Sequence, residues 1–324
     1  MTPAQGDGAV LVTGGSGYLG ARTLRHLAAH DLGPLVALDV RDPAEPVPDV
    51  TYLRGDLRDH DLVATCRAHD VRAVVHLAAV LAPPPGMDAA TLHDIEVGGT
   101  ARVLDACVDA GVAHLTVTSS GAAYGYAPRN RDRPLVESDP TPGHPRFAYS
   151  QHKSEVERLV AAARRDHPEL AVLLLRPGTV LGEDTDNQIT ALFSGPVVLG
   201  LTDTEVPFVF VLDDDVVEVI RRGVTDRVAG TFNLAGDGTL TLRDIAALEG
   251  RRYLPVPPWL LAGALRALST LRLVPYGPEQ VDFLRYRPVL DNAALRAAFP
   301  GLPTATTAQA YARFRDGARR RGTA

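Results

Sequence analysis

Short apolar runs recur through the first half of the chain, and stretches with helical periodicity separate them. The clearest runs are residues 9–13, 35–39, 71–79, 115–120 and 171–175. Short runs rich in valine and leucine are typical of strands that are buried on both faces. Strands that alternate with helices form βαβ units. We therefore expect a parallel, doubly wound sheet that binds ligands at the carboxyl ends of its strands.

The alternation stops near residue 178, where segments rich in glycine and proline replace it. We expect residues 1–177 to form the sheet domain and residues 178–324 to form mainly a smaller α/β substrate lobe. Residues 206–232 are expected to return to the first domain.

Two segments of the second half lead to specific predictions. Residues 209–212 are expected to form a strand, and Asp213-Asp214-Asp215 to begin a helix, because acidic side chains favour helix N-termini. Metal binding by this acidic triplet is the alternative. Residues Trp259 to Val274 are expected to form a helix that is apolar on most of its circumference and buried on several sides. It packs either wholly into the lobe or partly over the substrate. With Arg266 and Arg272 within it, this segment is too short and polar to cross a membrane.

Composition narrows the class of protein. The chain has 324 residues, 45% of them hydrophobic, and a formal net charge of -6. This acidic balance, without a basic stripe, argues against a nucleic-acid partner. Cys66 and Cys107 stand far apart in the sequence, and no secretory signal is apparent, so we expect free thiols. We predict a cytoplasmic protein with no membrane partner and no metal.

A glycine-rich turn follows the first predicted strand, with the sequence GGSGYLG at residues 14–20. Its glycines allow a tight turn, close approach of a pyrophosphate and close packing of the next helix. Asp39 ends the second predicted strand, where a carboxylate can accept hydrogen bonds from ribose hydroxyls and repel a 2′-phosphate. The pattern predicts NAD over NADP, although Arg41 could partly offset that repulsion.

Lys153 is the only lysine in a chain with 33 lysine and arginine residues, and Tyr149 lies four positions before it. On a helix, residues i and i+4 share one face. A compact cation near a phenol favours the phenolate form, which suits proton exchange with an alcohol or a carbonyl. An accidental surface pair is the alternative to this catalytic interpretation.

These motifs, taken together, resemble the extended short-chain dehydrogenases/reductases, also called the NAD-dependent epimerase/dehydratase family. The resemblance covers nearly the whole chain. It rests on the glycine turn, the Tyr149/Lys153 pair and further short motifs, namely Gly55-Asp56-Leu57, His76-Leu77-Ala78-Ala79, Thr118 to Gly125 and Arg176-Pro177. It implies a Rossmann-type fold, a homodimer and a small-molecule substrate.

The resemblance also implies roles for individual residues. Ser120 would hydrogen-bond the substrate oxygen, Tyr149 would be the general acid/base, and Lys153 would hold the nicotinamide ribose. A strand-end serine that caps a turn is the alternative for Ser120. The implied cofactor-binding residues are Gly14, Ser16, Gly17, Tyr18, Leu19, Gly20, Asp39, Asp56, Leu57, Leu77, Ala78, Ala79, Tyr149, Lys153, Pro177 and Thr179. The candidate substrate residues are Glu96, Ser120, Tyr124, Thr179 and Phe208.

Departures from the family pattern bear on the substrate. Glu96 stands where the family usually has Asn, and it is either a second acid/base or a salt-bridged helix residue. Thr179 and Phe208 stand where nucleotide-sugar members carry Asn and Arg, which removes charge-assisted bonds to a diphosphate. The positions after Ser120 hold Gly121 and Ala122 instead of acids, so dehydration and decarboxylation are poorly supported.

The substrate site is therefore expected to be largely apolar. The residues that suggest this are Pro207, Phe208, Phe210, Trp259, Leu260 and Leu261, although each by itself is more typical of a core.

Three functions remain open from the sequence. The first is a dehydrogenase or reductase that acts on a secondary alcohol or ketone of a largely apolar molecule. The second is an epimerase that oxidises and re-reduces one centre with tightly held NAD. The third is a non-catalytic dinucleotide sensor, which the intact Ser120, Tyr149 and Lys153 disfavour.

For the homodimer, the resemblance implies a four-helix bundle built from helices near residues 88–110 and 149–166. Its seam would use apolar positions of those helices, of which some must also face the sheet: Leu92, Val103, Leu104, Val156, Leu159 and Val160.

Overall fold

The computed structural model describes residues 8–80, 83–84, 86–185, 189–271 and 277–322. Its strands are β1 Ala9–Thr13, β2 Leu35–Asp39, β3 Val50–Arg54, β4 Val71–His76, β5 His114–Thr118, β6 Ala171–Pro177, β7 Thr179–Leu181, β8 Val197–Leu201, β9 Pro207–Phe208, β10 Phe210–Leu212, β11 Gly230–Leu234, β12 Leu240–Thr241 and β13 Arg252–Val256. The α-helices are α1 Tyr18–Ala28, α2 Leu62–Ala68, α3 Ala89–His93, α4 Gly99–Ala110, α5 Ala148–Asp166, α6 Ala191–Ser194, α7 Asp213–Asp226, α8 Leu242–Leu248, α9 Pro258–Thr270, α10 Gln280–Arg285, α11 Ala293–Ala298 and α12 Thr307–Arg320. A π-helical turn, Asp94–Gly98, joins α3 to α4.

The main sheet has seven strands in the order β11-β6-β5-β4-β1-β2-β3. Strands β1 to β6 pair in parallel. The chain order reverses between β1 and β4, and ligands of doubly wound sheets bind at such a switch point. The predicted α/β fold with a parallel sheet is confirmed, and strands β1 and β2 have the predicted bounds.

The chain forms two compact units. Unit 1 comprises Met1–Ala123, Gln151–Arg176 and Asp213–Phe232, and unit 2 comprises Tyr124–Ser150, Pro177–Leu212 and Asn233–Ala324. The units interleave more than was expected from a boundary at residue 177 and a return of residues 206–232, because Tyr124–Ser150 also lies in unit 2. What each part binds stays a prediction at this stage.

The core of unit 1 buries apolar side chains from the sheet and from the helices that cover it. It includes Val103 and Leu104 of α4 and Val156 and Val160 of α5. These four side chains were expected at a dimer seam, but they are at most 5% exposed within one chain. They are therefore the members of that set that face the sheet, as some of them had to. Leu92 and Leu159 stay partly exposed.

Both cysteines belong to the same core. Cys66 and Cys107 are buried free thiols, and although they stand far apart in the sequence, both line the same small apolar gap in the core. Burial raises the pKa of Cys66 to about 11. Such thiols are poorly reactive.

Helix α9 departs from the prediction for residues Trp259 to Val274. Trp259 is 74% exposed and Leu271, just after the helix, is 68% exposed, so the helix is not buried on several sides. Only the stripe with Leu261 and Leu265 packs against the core of unit 2. Residues 272–274 lie outside the described part of the chain. Among the residues that the structure describes, none of the helices has the length and apolar character needed to span a bilayer.

Candidate functional site

The glycine turn after β1 is packed against the end of β4. Gly14 has a φ of +73°, in the left-handed region, and a Cβ there would lie 2.6 Å from the Ala78 nitrogen. A Cβ at Gly20 would lie 2.0 Å from the Gly14 oxygen. Only glycine fits at both positions, because the atoms that a Cβ would strike belong to the backbone and cannot move aside. The turn therefore has the close-packed form that lets a pyrophosphate approach the N-terminus of α1.

Asp39 is the last residue of β2, and its carboxylate faces this turn. Its Oδ2 accepts a hydrogen bond of 3.0 Å from the Ser16 N–H, and its Oδ1 accepts one of 3.0 Å from the Arg41 N–H. The Arg41 guanidinium, 70% exposed, lies 3.8 Å from Oδ1. A carboxylate has about four acceptor sites. Asp39 is thus fixed in place and retains capacity to accept bonds from ribose hydroxyls.

Tyr18, at the start of α1, is engaged by α7. Its hydroxyl donates to Asp213 Oδ2 over 2.6 Å, and Arg22 Nε lies 2.9 Å from the same oxygen. Burial raises the pKa of Asp213 despite these two partners. Asp213 is the first residue of α7, so the prediction that the acidic triplet begins a helix is confirmed.

The remaining predicted cofactor residues of unit 1 follow β3 and β4. Asp56 pairs with Arg58 over 2.7 Å, and hydrogen bonds from Arg58 hold the pKa of Asp56 below its ordinary value. Leu57 is 8% exposed and belongs to the core, so packing explains why a leucine stands at this position. Leu77 and Ala78 are half-buried and Ala79 is exposed, immediately after β4.

Lys153 of α5 reaches the carboxyl end of β5. Its Nζ lies 3.4 Å from the carbonyl oxygen of Thr118, the last residue of that strand. Ser120 follows two residues later, and its Oγ accepts a bond of 3.1 Å from the Ala122 N–H. The turn-capping alternative for Ser120 is therefore realised, and it leaves the hydroxyl proton available for another contact. Tyr149 is half-buried in the first turn of α5.

A buried carboxylate accompanies the lysine. Glu96 is 3% exposed, and its Oε2 lies 3.3 Å from Lys153 Nζ. Its Oε1 accepts a hydrogen bond from the Val80 N–H. Burial by itself would raise the pKa of Glu96, but the Lys153 ammonium and the Val80 N–H hold the pKa below its ordinary value. This geometry agrees with the salt-bridged interpretation of Glu96 rather than with a second acid/base.

His76 completes this buried group. Its Nδ1 lies 2.7 Å from Thr13 Oγ1, and its Nε2 lies 3.1 Å from Thr100 Oγ1. Because the Thr100 hydroxyl donates its proton to the Glu96 carbonyl oxygen, it must accept from His76, which puts the imidazole proton on Nε2. Burial and the nearby Lys153 lower the pKa of His76 to about 4. The imidazole is therefore neutral at pH 7.

The sequence analysis missed a second buried ion pair. Arg176, part of a family motif, binds Glu157 with Nη2 2.6 Å from Oε2, and Ser119 donates to Glu157 Oε1 over 2.6 Å. All three side chains are buried. The pair joins α5 to β6 and fixes the segment next to Ser120. A paired acid and base far apart in the sequence give no local signal.

The candidate substrate residues in unit 2 differ in accessibility. Tyr124 is completely buried, and its hydroxyl lies 2.9 Å from both Val136 O and Asn233 Oδ1, so these bonds account for the side chain without a substrate. Phe208 is completely buried too and stacks on Phe210, because it belongs to the core of the unit. Its packing in that core accounts for the side chain without a substrate contact.

Thr179 and Pro177 lie where the chain passes from β6 to β7. Thr179 Oγ1 accepts a hydrogen bond of 2.6 Å from Arg287 Nη2. Arg287 was not among the predicted site residues, since one arginine in a chain so rich in arginine carries no local signal.

One group of metal-ligating side chains occurs among the described residues. Ligand atoms of His26, His30 and Glu218 lie within 4.8 Å of one another. Glu218 already pairs with Arg221 and Arg222, each over 2.7 Å. These hydrogen bonds lower the pKa of Glu218, whose charge is thus compensated by arginine without a metal ion.

Comparison with known proteins identifies relatives over nearly the whole chain. The family model described as "NAD dependent epimerase/dehydratase family" matches residues 10–235. The uncharacterized protein Rv0501 of Mycobacterium tuberculosis is 28% identical over 313 residues, which cover 93% of this chain and 82% of that protein. The UDP-glucose 4-epimerase of Yersinia pestis is 30% identical over 196 residues, covering 54% of this chain and 56% of the epimerase.

A solved structure has the same fold. The protein MoeE5, in complex with UDP-glucuronic acid and NAD, superposes with a TM-score of 0.71 at 24% identity. The match covers 98% of this chain and 100% of MoeE5. At this identity, the likeness concerns the fold alone.

Proposed function

Because this chain belongs to the NAD-dependent epimerase/dehydratase family, we propose that it transfers hydride between NAD and a carbon bearing a hydroxyl or keto oxygen, with Tyr149 as the general acid/base. The observation that carries the proposal is the position of Lys153 in unit 1. The lysine is buried on α5, one turn after Tyr149, and lies beside the end of β5, which leads to Ser120.

The residues around the glycine turn fit a dinucleotide. A side chain at Gly14 would clash with backbone atoms, so the turn has kept the close backbone packing that a pyrophosphate site needs. Asp39 would accept bonds from the adenosine ribose, and Lys153 would contact the nicotinamide ribose. Bound NAD would supply the hydride acceptor or donor.

The protein side of the reaction is proton transfer. In the oxidation direction, Tyr149 would take the proton of the substrate hydroxyl as the carbon loses hydride. Ser120 would donate a hydrogen bond to the same oxygen and keep it in place. Lys153, held by Thr118 and Glu96, would provide the positive charge that favours the phenolate form of a tyrosine. In reduction, the same residues would return the proton.

Asp39→Ala is expected to weaken NAD binding by about tenfold or more and to reduce discrimination against NADP. The substitution removes hydrogen bonds to a charged acceptor and the repulsion of a 2′-phosphate. Fluorescence titration with NAD and NADP measures both effects. Asp42→Ala, which removes a carboxylate that is 75% exposed and pairs with Arg54, is the matched control. If the wild-type protein binds NADP more tightly than NAD, the attraction of Arg41 for the 2′-phosphate outweighs the repulsion by Asp39, and the prediction fails.

Glu96→Gln is expected to move the acidic limb of the profile of kcat/KM against pH to lower pH by roughly one unit. The amide can still accept from the Val80 N–H, but the Lys153 ammonium loses its carboxylate and acts more strongly on Tyr149. Glu155→Gln, on α5 with Lys153 and paired with His93, is the control. If the role of Glu96 is purely structural, the substitution will lower the stability of the protein and leave the profile of kcat/KM against pH unchanged.

An epimerase with tightly held NAD is the second candidate, and the relative named UDP-glucose 4-epimerase favours it. Absorbance in the nicotinamide band after dialysis separates the two functions. A dehydrogenase exchanges its cofactor at each turnover and should lose it on dialysis. Cofactor retained in near-stoichiometric amount would favour the epimerase.

We also propose a homodimer in the cytoplasm. The family resemblance and the adjacent helices α3 and α5 support the dimer, since His93 and Glu155 join those helices through a contact of 2.7 Å. The partly exposed Leu92 and Leu159 remain available for the seam. Sedimentation at micromolar concentration tests the dimer, and a species of only 34.5 kDa would contradict it.

A further inference from the structure

One side of helix α9 is apolar and faces solvent. The opposite side, with Leu261 and Leu265, packs against the core of unit 2. The exposed residues recur at helical spacing and form what we call the α9 apolar face: Trp259, Leu260, Gly263, Ala264, Ala267 and Leu268. Leu271, directly after the helix, is exposed as well. A helix with two apolar sides, of which only one is buried, has a second side available for an interaction.

The strand that precedes this helix also exposes apolar side chains. Strand β13 pairs in parallel with β8, and Leu254 lies opposite Leu199 in that pair. Both leucines are exposed. Trp259 follows Leu254 by five residues, so at most about 18 Å of chain separates the two positions. The exposed apolar side chains of unit 2 are therefore grouped near the start of α9, and grouped apolar surface marks an interaction site more often than scattered side chains do.

The same segment carries positive charge only. Residues 250–278 include four arginines and no aspartate or glutamate, in a chain whose formal net charge is -6. Arg252 of β13 and Arg266 of α9 are both exposed. Within the part of the chain that the structure describes, neither guanidinium forms an ion pair with a carboxylate. Their charges are therefore available to an anionic surface.

This charge pattern distinguishes between possible occupants of the face. A second copy of the chain, placed face to face, would bring arginines against arginines without any acidic side chain to separate them, which is unfavourable. An anionic bilayer instead offers negative headgroups to the arginines and an apolar layer to the leucines. Arginine can lay its aliphatic stem along apolar surface while its charged end reaches the headgroups, and tryptophan is enriched at membrane interfaces.

We propose that the α9 apolar face binds the surface of a membrane that contains anionic lipids, with Arg252 and Arg266 contacting the headgroups. Helix α9 has 13 residues, so it would lie in the plane of the membrane instead of crossing it. A helix that is too short to span a bilayer can still attach to its surface. The protein would thus have a membrane partner that its sequence alone did not predict.

Trp259 is the only tryptophan of the chain, so its fluorescence reports directly on this face. We expect vesicles of equal parts phosphatidylcholine and phosphatidylglycerol to shift its emission to shorter wavelength and to carry the whole chain, with NAD present, upward in a flotation gradient. Binding should weaken as salt is added, because salt screens the arginines from the headgroups. Absence of both signals, or equal binding to vesicles of phosphatidylcholine alone, would overturn the proposal.

The charge contribution is tested with the double variant Arg252→Gln, Arg266→Gln. Its affinity for the anionic vesicles is expected to fall by about 10- to 30-fold, since each arginine near an anionic surface contributes separately. The matched control is Arg319→Gln, Arg321→Gln, which removes two exposed arginines at the end of α12, also in unit 2. If the two double variants bind the vesicles equally well, the proposal is wrong.

The apolar contribution is tested with Leu260→Ser, which keeps Trp259 as the reporter and is expected to lower vesicle affinity by about tenfold. Leu192→Ser, at an exposed leucine of α6, is the control and should bind as the wild type does. Thermal unfolding checks that each variant is folded, and Leu268→Ser replaces Leu260→Ser if the latter is not. Wild-type affinity in the folded variant would contradict the proposal.

Sedimentation without lipid tests the alternative occupant. If the wild-type protein forms a dimer that Leu260→Ser dissociates, a second copy covers the face and the proposal is overturned. Vesicle binding requires no turnover, so its outcome is independent of the role of Tyr149.

Discussion

Replacing Tyr149 with phenylalanine is expected to lower turnover by about 100- to 10,000-fold, with little change in NAD affinity. The substitution removes only the hydroxyl that exchanges a proton with the substrate. Lys153 keeps its contacts with Thr118 and Glu96, because those residues hold it independently of the phenol. The expected loss therefore lies in kcat rather than in cofactor binding.

Steady-state rates with a range of ketones and alcohols, together with NAD titration, measure both quantities. Tyr52→Phe is the matched control. The Tyr52 hydroxyl, on β3, accepts a hydrogen bond from the Val47 N–H and has no role in the proposed chemistry. A Tyr149→Phe enzyme with more than half of the wild-type rate would refute the general acid/base role.

Phe208→Arg is expected to destabilise the protein by at least about 4 kcal/mol and to prevent accumulation of folded chain. Phe208 is 0% exposed and packs edge-on against Phe193 at 5.4 Å. An arginine there would bury a charge beside the existing guanidinium of Arg287. If the helix of residues 259–274 covered the substrate, as one interpretation of the sequence had it, the substitution would abolish activity on apolar substrates at unchanged melting temperature. The buried position of Phe208 predicts a loss of stability instead.

Trp259→Arg provides the control, because it introduces the same charge at a side chain that is 74% exposed. Exposed substitutions usually change stability by no more than about 0.5 kcal/mol. Thermal unfolding of both variants gives the comparison. A Phe208→Arg protein that melts like the wild type would mean that Phe208 is accessible and the core placement wrong.

The sequence by itself determined the features that depend on neighbouring residues. Strand β1 and the glycine turn follow from an apolar run that meets residues with unusual backbone freedom. Tyr149 and Lys153 share a helix, so their spacing alone puts them on one face. Asp39 ends β2 where the apolar run of residues 35–38 meets a charged side chain. In each case, the physical cause acts within a few residues.

Only the tertiary structure decided which groups compensate each other's charge. Glu96 became the partner of Lys153 because a helix after β4 lies against α5, and Arg176 became the partner of Glu157 for a similar reason. Both of these ion pairs join residues far apart in the chain, so no local periodicity encodes them.

Burial was the other property that the sequence left open. The helix with Trp259 is apolar on most of its circumference, yet only the stripe with Leu261 packs against the core, while Phe208, which the sequence allowed at a substrate site, is completely enclosed. An apolar side chain favours burial but does not specify what covers it. That depends on which elements the fold brings alongside, and it is decided only when the whole chain has packed.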